Sequence, residues 1–452
     1  MADFTIAGAG PVGVLMSLLL ARRGHAVRVR ERRPDPRTRA AERGRSINLA
    51  LSSRGLAALS AAGILEQIRG SLIAMPGRML HHEDGRLEFL AYGRDPREAN
   101  YAISRGHLNE VLIEIAARHP GIELRFNQRC VDVDPTAGTL TMRDEITGRE
   151  YVESPLHLIG CDGAGSSVRQ ALQQRSLTQV REVPLPHDYR ELVIPKAEQG
   201  AHAPYAFEPH ALHIWPRGGF MLIALPNPDG SFTATLFLPR QGAVSFEQLR
   251  SDGAVMAFFR REFADVAMLL PDLTSQFASH PQSRLGTVYC AGWHVGARVL
   301  LVGDAAHAIV PFHGQGLNCG FEDCSLLDRL LAATPEDVAG AFIAFERERL
   351  PDALAIAAMA LENYDEMRDE VRSPDFARRK ALANQLAQLF PERFIPRYAM
   401  VTFHPEIRYA DAQRRGALQE TVLDALMLEY PEGLVPEHAI GSADSELQRS
   451  GL

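Results

Sequence analysis

The sequence predicts an α/β fold in which a doubly wound parallel-sheet domain is interleaved with an antiparallel-sheet domain and followed by a helical C-terminal part. Three observations carry this. Residues 4–31 read as strand, glycine turn, helix and strand, ending in the acid Glu31. Two later apolar runs, Leu158–Gly160 and Val299–Val302, are each followed by a turn of Gly and Asp, Asp162-Gly163 and Gly303-Asp304. Between them, from about Tyr189 to Arg240, apolar runs alternate with Pro and Gly turns, the pattern of antiparallel strands.

The first unit is the most specific. Gly8, Gly10 and Gly13 have the G-x-G-x-x-G spacing directly after the β-branched pair Thr5-Ile6. Gly8 permits a tight turn, Gly10 lets the backbone approach a pyrophosphate, and Gly13 lets helix and strand pack closely. The helix N-terminus then offers free N–H groups and a partial positive charge to phosphates. Glu31 stands 18 residues after Gly13 at a strand end, where it can accept hydrogen bonds from a ribose diol. A glycine turn that binds nothing leaves that acid unexplained, so the unit reads as a dinucleotide site.

The remaining elements follow in order. An arginine-rich loop, 32–45, leads to the apolar run Ile47–Leu51 and a helix expected over Ser52–Ile68. Residues 77–101 look like hairpin material around Asp84-Gly85. Arg105–His119 has helical spacing of Leu108, Val111, Leu112 and Ile115. Ile122–Phe126, Val131–Val133 and Thr139–Met142 read as strands. In the antiparallel part the runs are Leu212–Trp215, Phe220–Leu225 and Phe232–Leu238, followed by a helix over Phe246–Phe263. From Gly316 the signal is helical, with breaks expected at Pro351, Pro374, Pro391 and Pro405. The expected division is 1–68, 102–180 and 290–350 for the nucleotide domain, 69–101 and 181–289 for the sheet domain, and 351–452 for the helical region.

Composition excludes several classes. A chain of 452 residues is too long for one small core. Its net charge of −8, with only local basic clusters such as Arg28–Arg39, speaks against a nucleic-acid partner. The longest apolar run, Val12–Ala21, is too short to span a bilayer, and Met1-Ala2-Asp3 enters the first strand without a signal-peptide pattern. The five cysteines form no C-x-x-C, so neither a disulfide framework nor a metal site is expected. Reduced, buried thiols and a cytoplasmic location are the expectation.

The motifs at Gly8–Gly13, Leu158–Arg169 and Val299–Asn318, in this order and separation, resemble those of the class A flavoprotein monooxygenases, aromatic hydroxylases of the para-hydroxybenzoate hydroxylase fold. The resemblance implies a Rossmann-type FAD-binding domain, with FAD held by Gly8, Gly10, Val12, Gly13, Glu31, Arg32, Arg105, Asp304, Gly316, Leu317 and Asn318. Cys161 stands where the family usually has alanine, still a small residue. Further strings, among them Glu31–Arg37, Gly44–Leu51, Ile103–Asn109, Pro311–Gly316, Leu361–Tyr364 and Phe394–Tyr398, resemble one branch, the kynurenine 3-monooxygenases. Mitochondrial members of that branch end in a hydrophobic anchor. Here Tyr430–Leu452 is polar, which implies a form without a membrane anchor.

That branch implies hydroxylation of L-kynurenine at ring position 3 with NADPH and O2, through a flavin C4a-hydroperoxide. It implies that Arg78 and Tyr92 hold the amino-acid carboxylate, that Asn363 and Tyr398 complete the polar end, and that Leu212, Ile214, Met221, Ile223, Leu225 and Phe237 wall the aromatic ring. Pro311, Phe312 and His313 would form the loop at the flavin face, with His313 either a proton relay or structural. By spacing alone Arg78 reads as a surface arginine, Asn363 and Tyr398 as ordinary helix residues, and the wall as sheet core. Three other readings compete: a hydroxylase of another aromatic acid, salicylate-type; a non-catalytic flavin-binding module; and a halogenase, whose W-x-W-x-I-P string is missing because Trp215 and Trp293 lie far apart. With no second G-x-G-x-x-G, NADPH is expected to dock transiently, and NADH remains open. Oligomeric state is open, a dimer included.

Overall fold

The computed structural model describes residues 3–38, 48–93, 95, 97–368 and 373–430. Residues 39–47, at the end of the arginine-rich loop and the start of the next run, and 431–452 of the polar tail lie outside the described residues. A six-stranded sheet forms the base. Its strands, in spatial order, are His294–Val295, Val299–Leu301, His157–Gly160, Asp3–Ala7, Ala26–Arg30 and Ile122–Arg125. All neighbours are parallel except the short edge pair His294–Val295. Ala7 pairs with Gly160, and Gly160 with Leu301, so the three motif strands end side by side and deliver their turns to one edge. That is the edge at which parallel sheets bind ligands.

A seven-stranded, mostly antiparallel sheet stands apart from it, in the order Ser283–Ala291, Gln179–Ile194, Phe232–Pro239, Met221–Pro226, Leu212–Pro216, Gly77–His81 and Leu87–Ala91. Side chains alternate between faces along each strand. Leu192, Trp215, Leu222, Leu236 and Leu238 turn to one face, where they pack with Phe258, Phe259 and Phe277 of the helices Asp252–Glu262 and Leu273–Ser279. Leu80, Ile214, Met221 and Phe237 turn to the other, where they meet Phe312 and Tyr364. The hairpin Gly77–His81/Leu87–Ala91 joins this sheet in parallel beside Leu212–Pro216, which sets Arg78 opposite Leu212. Two three-stranded sheets complete the β structure among the described residues.

The structure departs from the sequence reading in four places. The helix expected over Ser52–Ile68 is two, Ser53–Ala61 and Leu65–Ile68, parted where Gly63 takes φ +69°. Phe246–Phe263 is a single 3₁₀ turn, Phe246–Gln248, and then a helix from Asp252, because Ser251 caps that helix by accepting from the Ala254 N–H. Gln179–Ile194 is one long strand, starting ten residues before the expected run, because pairing to two neighbours overrides its prolines. Pro351 does not break its helix, which runs Val338–Arg368. Pro351 faces solvent, while Arg349 and Asp352 beside it are buried and ion-paired to each other. Pro374 instead opens the helix Pro374–Leu389, a position that needs no N–H. Among the described residues no helix is long and apolar enough to cross a membrane. The five cysteines are free and buried.

Candidate active site

The first glycine turn divides its labour. Gly8 has φ +101°, and a Cβ there would lie 2.5 Å from Cys161 O; a Cβ at Gly13 would lie 2.1 Å from Gly8 O. A Cβ at Gly10 would meet nothing within 4 Å. Gly8 and Gly13 are therefore demanded by the protein's own packing, whereas Gly10 keeps space open at the start of the helix Pro11–Arg22. That helix has no side-chain cap, so its first N–H groups await a partner. Glu31 is buried and accepts from Ala9 N–H at 2.8 Å and from Arg33 N–H and Nε at 2.9 and 2.8 Å. Burial pushes its carboxyl up, but Arg33 and these N–H donors hold it below the usual range. Arg33 is the arginine paired with Glu31; Arg32 and Arg33 are both exposed. Arg105, also exposed, opens the helix Arg105–Arg118 and faces Glu191 and Tyr189 electrostatically.

The other two turns complete a cradle. Asp162 Oδ2 caps the following helix, accepting from Ser167 and Val168 N–H at 2.7 and 3.2 Å. Asp162 Oδ1 is buried without a partner among the described residues, and burial pushes the carboxyl up. Asp304 is exposed at its strand end, and a Cβ at Gly316 would lie 3.9 Å from its Oδ1. Gly314 takes the left-handed conformation before the helix Gly316–Ala333, which also lacks a side-chain cap. Val12 links first and third motifs: a Cβ at Gly303 or Gly320 would come within 3.2 or 2.7 Å of its methyls. Leu317 packs half-buried against the main core. The Asn318 side chain is saturated by backbone, accepting from Ser52 N–H at 3.0 Å and donating to Ala50 and Gly314 O at 2.9 and 2.8 Å. It pins the loop and is not free to reach a ligand. An orphaned buried carboxylate oxygen, two uncapped helix starts and open space over Gly10 fit the diphosphate, ribose and ribityl groups of FAD.

Beyond the cradle, four distant segments converge on one guanidinium. Arg78 is buried, with its Cζ 4.8 Å from the Tyr398 ring and 5.5 Å from the Tyr92 ring. These rings stack at 5.1 Å, and Tyr398 stacks on His313 at 5.0 Å. Asn100 donates to Tyr398 OH at 3.1 Å. Among the described residues the one carboxylate against Arg78 is Glu366, at 3.4 Å, and Arg78 Nε is buried without an acceptor. Burial opposes the Arg78 charge; Tyr398, Tyr92 and Glu366 outweigh it and hold the guanidinium above its usual value. Burial also pushes the Tyr92 phenol up. His313 is buried, its Nδ1 has no partner among the described residues, and burial together with Arg78, Arg397 and Arg54 lowers its pKa to about 3.

Leu212, Ile214, Met221, Ile223 and Phe237 form one apolar cluster with Phe312, whose ring lies 4.9 Å from Phe237 and 4.4 Å from Tyr364. Leu225 lies one step away, in a smaller cluster shared with Leu212 and Ile223. Pro311–His313 forms a single 3₁₀ turn whose Phe312 O accepts from Asn363 Nδ2 at 2.6 Å. Asn363 is therefore committed to the loop and to Met367 Sδ at 3.3 Å. The sequence reading missed Glu366, and also Lys380, which lines a cavity of about 760 Å³ beside Tyr92, Leu80 and Leu90. Burial lowers the Lys380 pKa to about 8. One signal was there to be read: Lys380 is one of two lysines among 48 basic residues. His307, Cys319 and Asp323 come together deeper in, but Arg349 donates to both Asp323 and Cys319 and so already supplies the cation.

This geometry has relatives. Residues 1–359 match the family model described as an FAD binding domain. A kynurenine 3-monooxygenase of Myxococcus xanthus is 48% identical over 432 residues, covering 95% of this chain and 91% of that protein. One from Stenotrophomonas maltophilia is 45% identical, covering 94% and 92%. The chain belongs to the kynurenine 3-monooxygenase family. Solved structures similar to it include 2-methyl-3-hydroxypyridine-5-carboxylic acid oxygenase (TM-score 0.67, 20% identity, 90% of this chain and 98% of that one). Another is p-nitrophenol 4-monooxygenase from Pseudomonas putida (0.65, 20%, 86% and 94%). These share the fold, an α/β body with a parallel sheet, antiparallel sheets and C-terminal helices. The FAD-domain match and this family membership make FAD the cofactor.

Proposed function

We propose that the protein is an NADPH- and FAD-dependent monooxygenase of the cytoplasm that converts L-kynurenine and O2 to 3-hydroxykynurenine. The observation that carries the substrate is Arg78: a buried guanidinium with an unpartnered Nε, at the polar end of an apolar wall that begins beside the cofactor loop. Residues 1–68, 102–180 and 290–350 would hold FAD through Gly10, Glu31, Asp304 and the two helix starts. Residues 69–101 and 181–289 supply the wall, and the C-terminal helices close it.

Bound FAD supplies the redox chemistry, passing electrons from NADPH to O2 so that one oxygen atom enters the ring and the other leaves as water. The chain's own residues position and exclude. Arg78 takes the carboxylate in a directional, charge-assisted contact, with Tyr92 and Tyr398 flanking it. Glu366 is the acceptor available to the ammonium. Leu212, Ile214, Met221, Ile223 and Phe237 hold the ring against the Pro311–His313 turn and keep water out. His313, neutral at working pH, can donate or accept a single hydrogen bond without adding charge. The anilinic nitrogen activates its neighbouring ring carbon, so no strong protein base is required. Incubation with kynurenine, NADPH and oxygen should give a product 16 mass units heavier, hydroxylated at position 3. Faster NADPH consumption with a phenolic acid than with kynurenine would refute the assignment.

A further inference from the structure

A second cavity lies on the opposite face of the antiparallel sheet from the aromatic wall. It encloses about 370 Å³ and is lined by Arg190, Arg240, Arg250, Gln282, Phe246 and Phe277, among others. Arg190 pairs in register with Leu236, so its side chain shares the face of the Phe246–Phe277 core rather than that of Phe237. Three guanidiniums meet here, and two are neutralised. Arg240 lies 3.4 Å from Asp188 Oδ1, whose other oxygen accepts from Gln282 Nε2 at 2.7 Å. Arg250 lies 3.4 Å from Glu247.

The Arg190 side chain has no carboxylate and no hydrogen-bond partner among the described residues, and its Nε is buried without an acceptor. Its Cζ sits 4.1 Å from the Phe277 ring and 5.8 Å from Phe246, which fixes the guanidinium plane but does not neutralise it. Burial pulls its pKa below the usual guanidinium value, as expected of a charge that lacks a counter-ion. A pre-oriented, unpaired guanidinium beside Arg240, Arg250 and Gln241, with Glu247 on the same lining engaged by Arg250, is a donor set suited to the oxygens of one tetrahedral anion.

We infer that this cavity binds a phosphoryl oxyanion, with Arg190 as its principal cation. Two sources share that chemistry, inorganic phosphate and a phosphate group of the nicotinamide nucleotide. An arginine that only shields Phe277 from water would bind neither.

The test uses the FAD-loaded protein and inorganic phosphate, followed by calorimetry in a phosphate-free buffer of low ionic strength. Saturable binding by the wild type, weakened about tenfold or more in Arg190→Met, is expected. Arg190→Lys keeps the charge but loses the fork, should bind with intermediate strength, and serves alone if the Met variant does not fold. NADPH then separates the sources: displacement of phosphate identifies the nucleotide as occupant, and undisturbed binding identifies the free anion. No saturable binding by the wild type, or equal binding by all three proteins, overturns the site. None of these readings requires turnover.

Discussion

Arg349 and Arg78 are equally buried, yet one is full and the other is open. Arg349 donates to Asp323 Oδ1 at 2.7 Å, Glu322 at 3.1 Å, Asp352 at 3.3 Å and Cys319 O at 3.3 Å. Asp323 also accepts from Gly303 N–H at 3.0 Å and bonds His307 Nε2 at 2.7 Å. Burial would raise its pKa, but His307 and Arg349 bring it down to about 2. Arg78 has two ring faces, one carboxylate at 3.4 Å and an idle Nε. A completed network holds a fold together, whereas an incomplete one in an apolar setting is prepared for a charge that arrives later.

The glycine turn offers the largest effects for testing that contrast, because it has its own closed and open positions. Gly13→Val drives a side chain into Gly8 O and should leave no folded protein by circular dichroism. Gly10→Val should fold and melt like the apo wild type yet purify without the flavin absorbance. A yellow Gly10→Val would show that the open space is not the cofactor's. Next, Arg349→Met strands Asp323 in the interior and should cost about 3–5 kcal/mol in denaturant unfolding. Arg78→Met should change unfolding little but weaken kynurenine binding by about 2–4 kcal/mol, since an anion loses its charged partner. If the two variants exchange these phenotypes, the distinction between full and open is wrong.

A further effect appears only at acid pH. The folded pKa of His313, about 3, lies below the ordinary imidazole value of about 6.5. Stability tied to its neutral form is complete above about pH 6.5 and is lost progressively as pH falls towards 3. His313→Gln should flatten that acid limb of the unfolding curve, while leaving its alkaline side unchanged. An unaltered acid limb would place the histidine's titration elsewhere.

The parts of this molecule legible in the sequence are those whose chemistry is local. Gly8, Gly10, Gly13 and Glu31 sit within one βαβ unit, and their roles follow from spacing. The wall was half legible: Leu212, Ile214, Met221 and Ile223 alternate as strand residues must, but alternation does not say which face meets a ligand. Resemblance pointed to Arg78, Tyr92 and Tyr398, yet nothing near them in the chain shows that they stack together, because the hairpin and the helix Arg397–Phe403 meet only after folding. Glu366 and Lys380 stayed hidden for the same reason. Pro351 reads locally as a helix breaker, but the buried ion pairs of Arg349 and Asp352 on either side of it form only in the folded chain, and the helix runs on through it.

The helix Val338–Arg368 joins the two arginine centres directly. It carries Arg349 in its first half, and Asn363, Tyr364 and Glu366 in its second. At ~1.5 Å per residue, the fourteen steps from Arg349 to Asn363 make a ruler ~21 Å long. One end is fixed to Asp323 through Arg349, and the other holds the Pro311–His313 turn through Asn363. Adding a single residue between them would turn the far end by ~100° and swing every contact off its mark. The spacing between the Arg349 network and the Pro311–His313 turn is thus set by one continuous helix, and chain length there should tolerate no change.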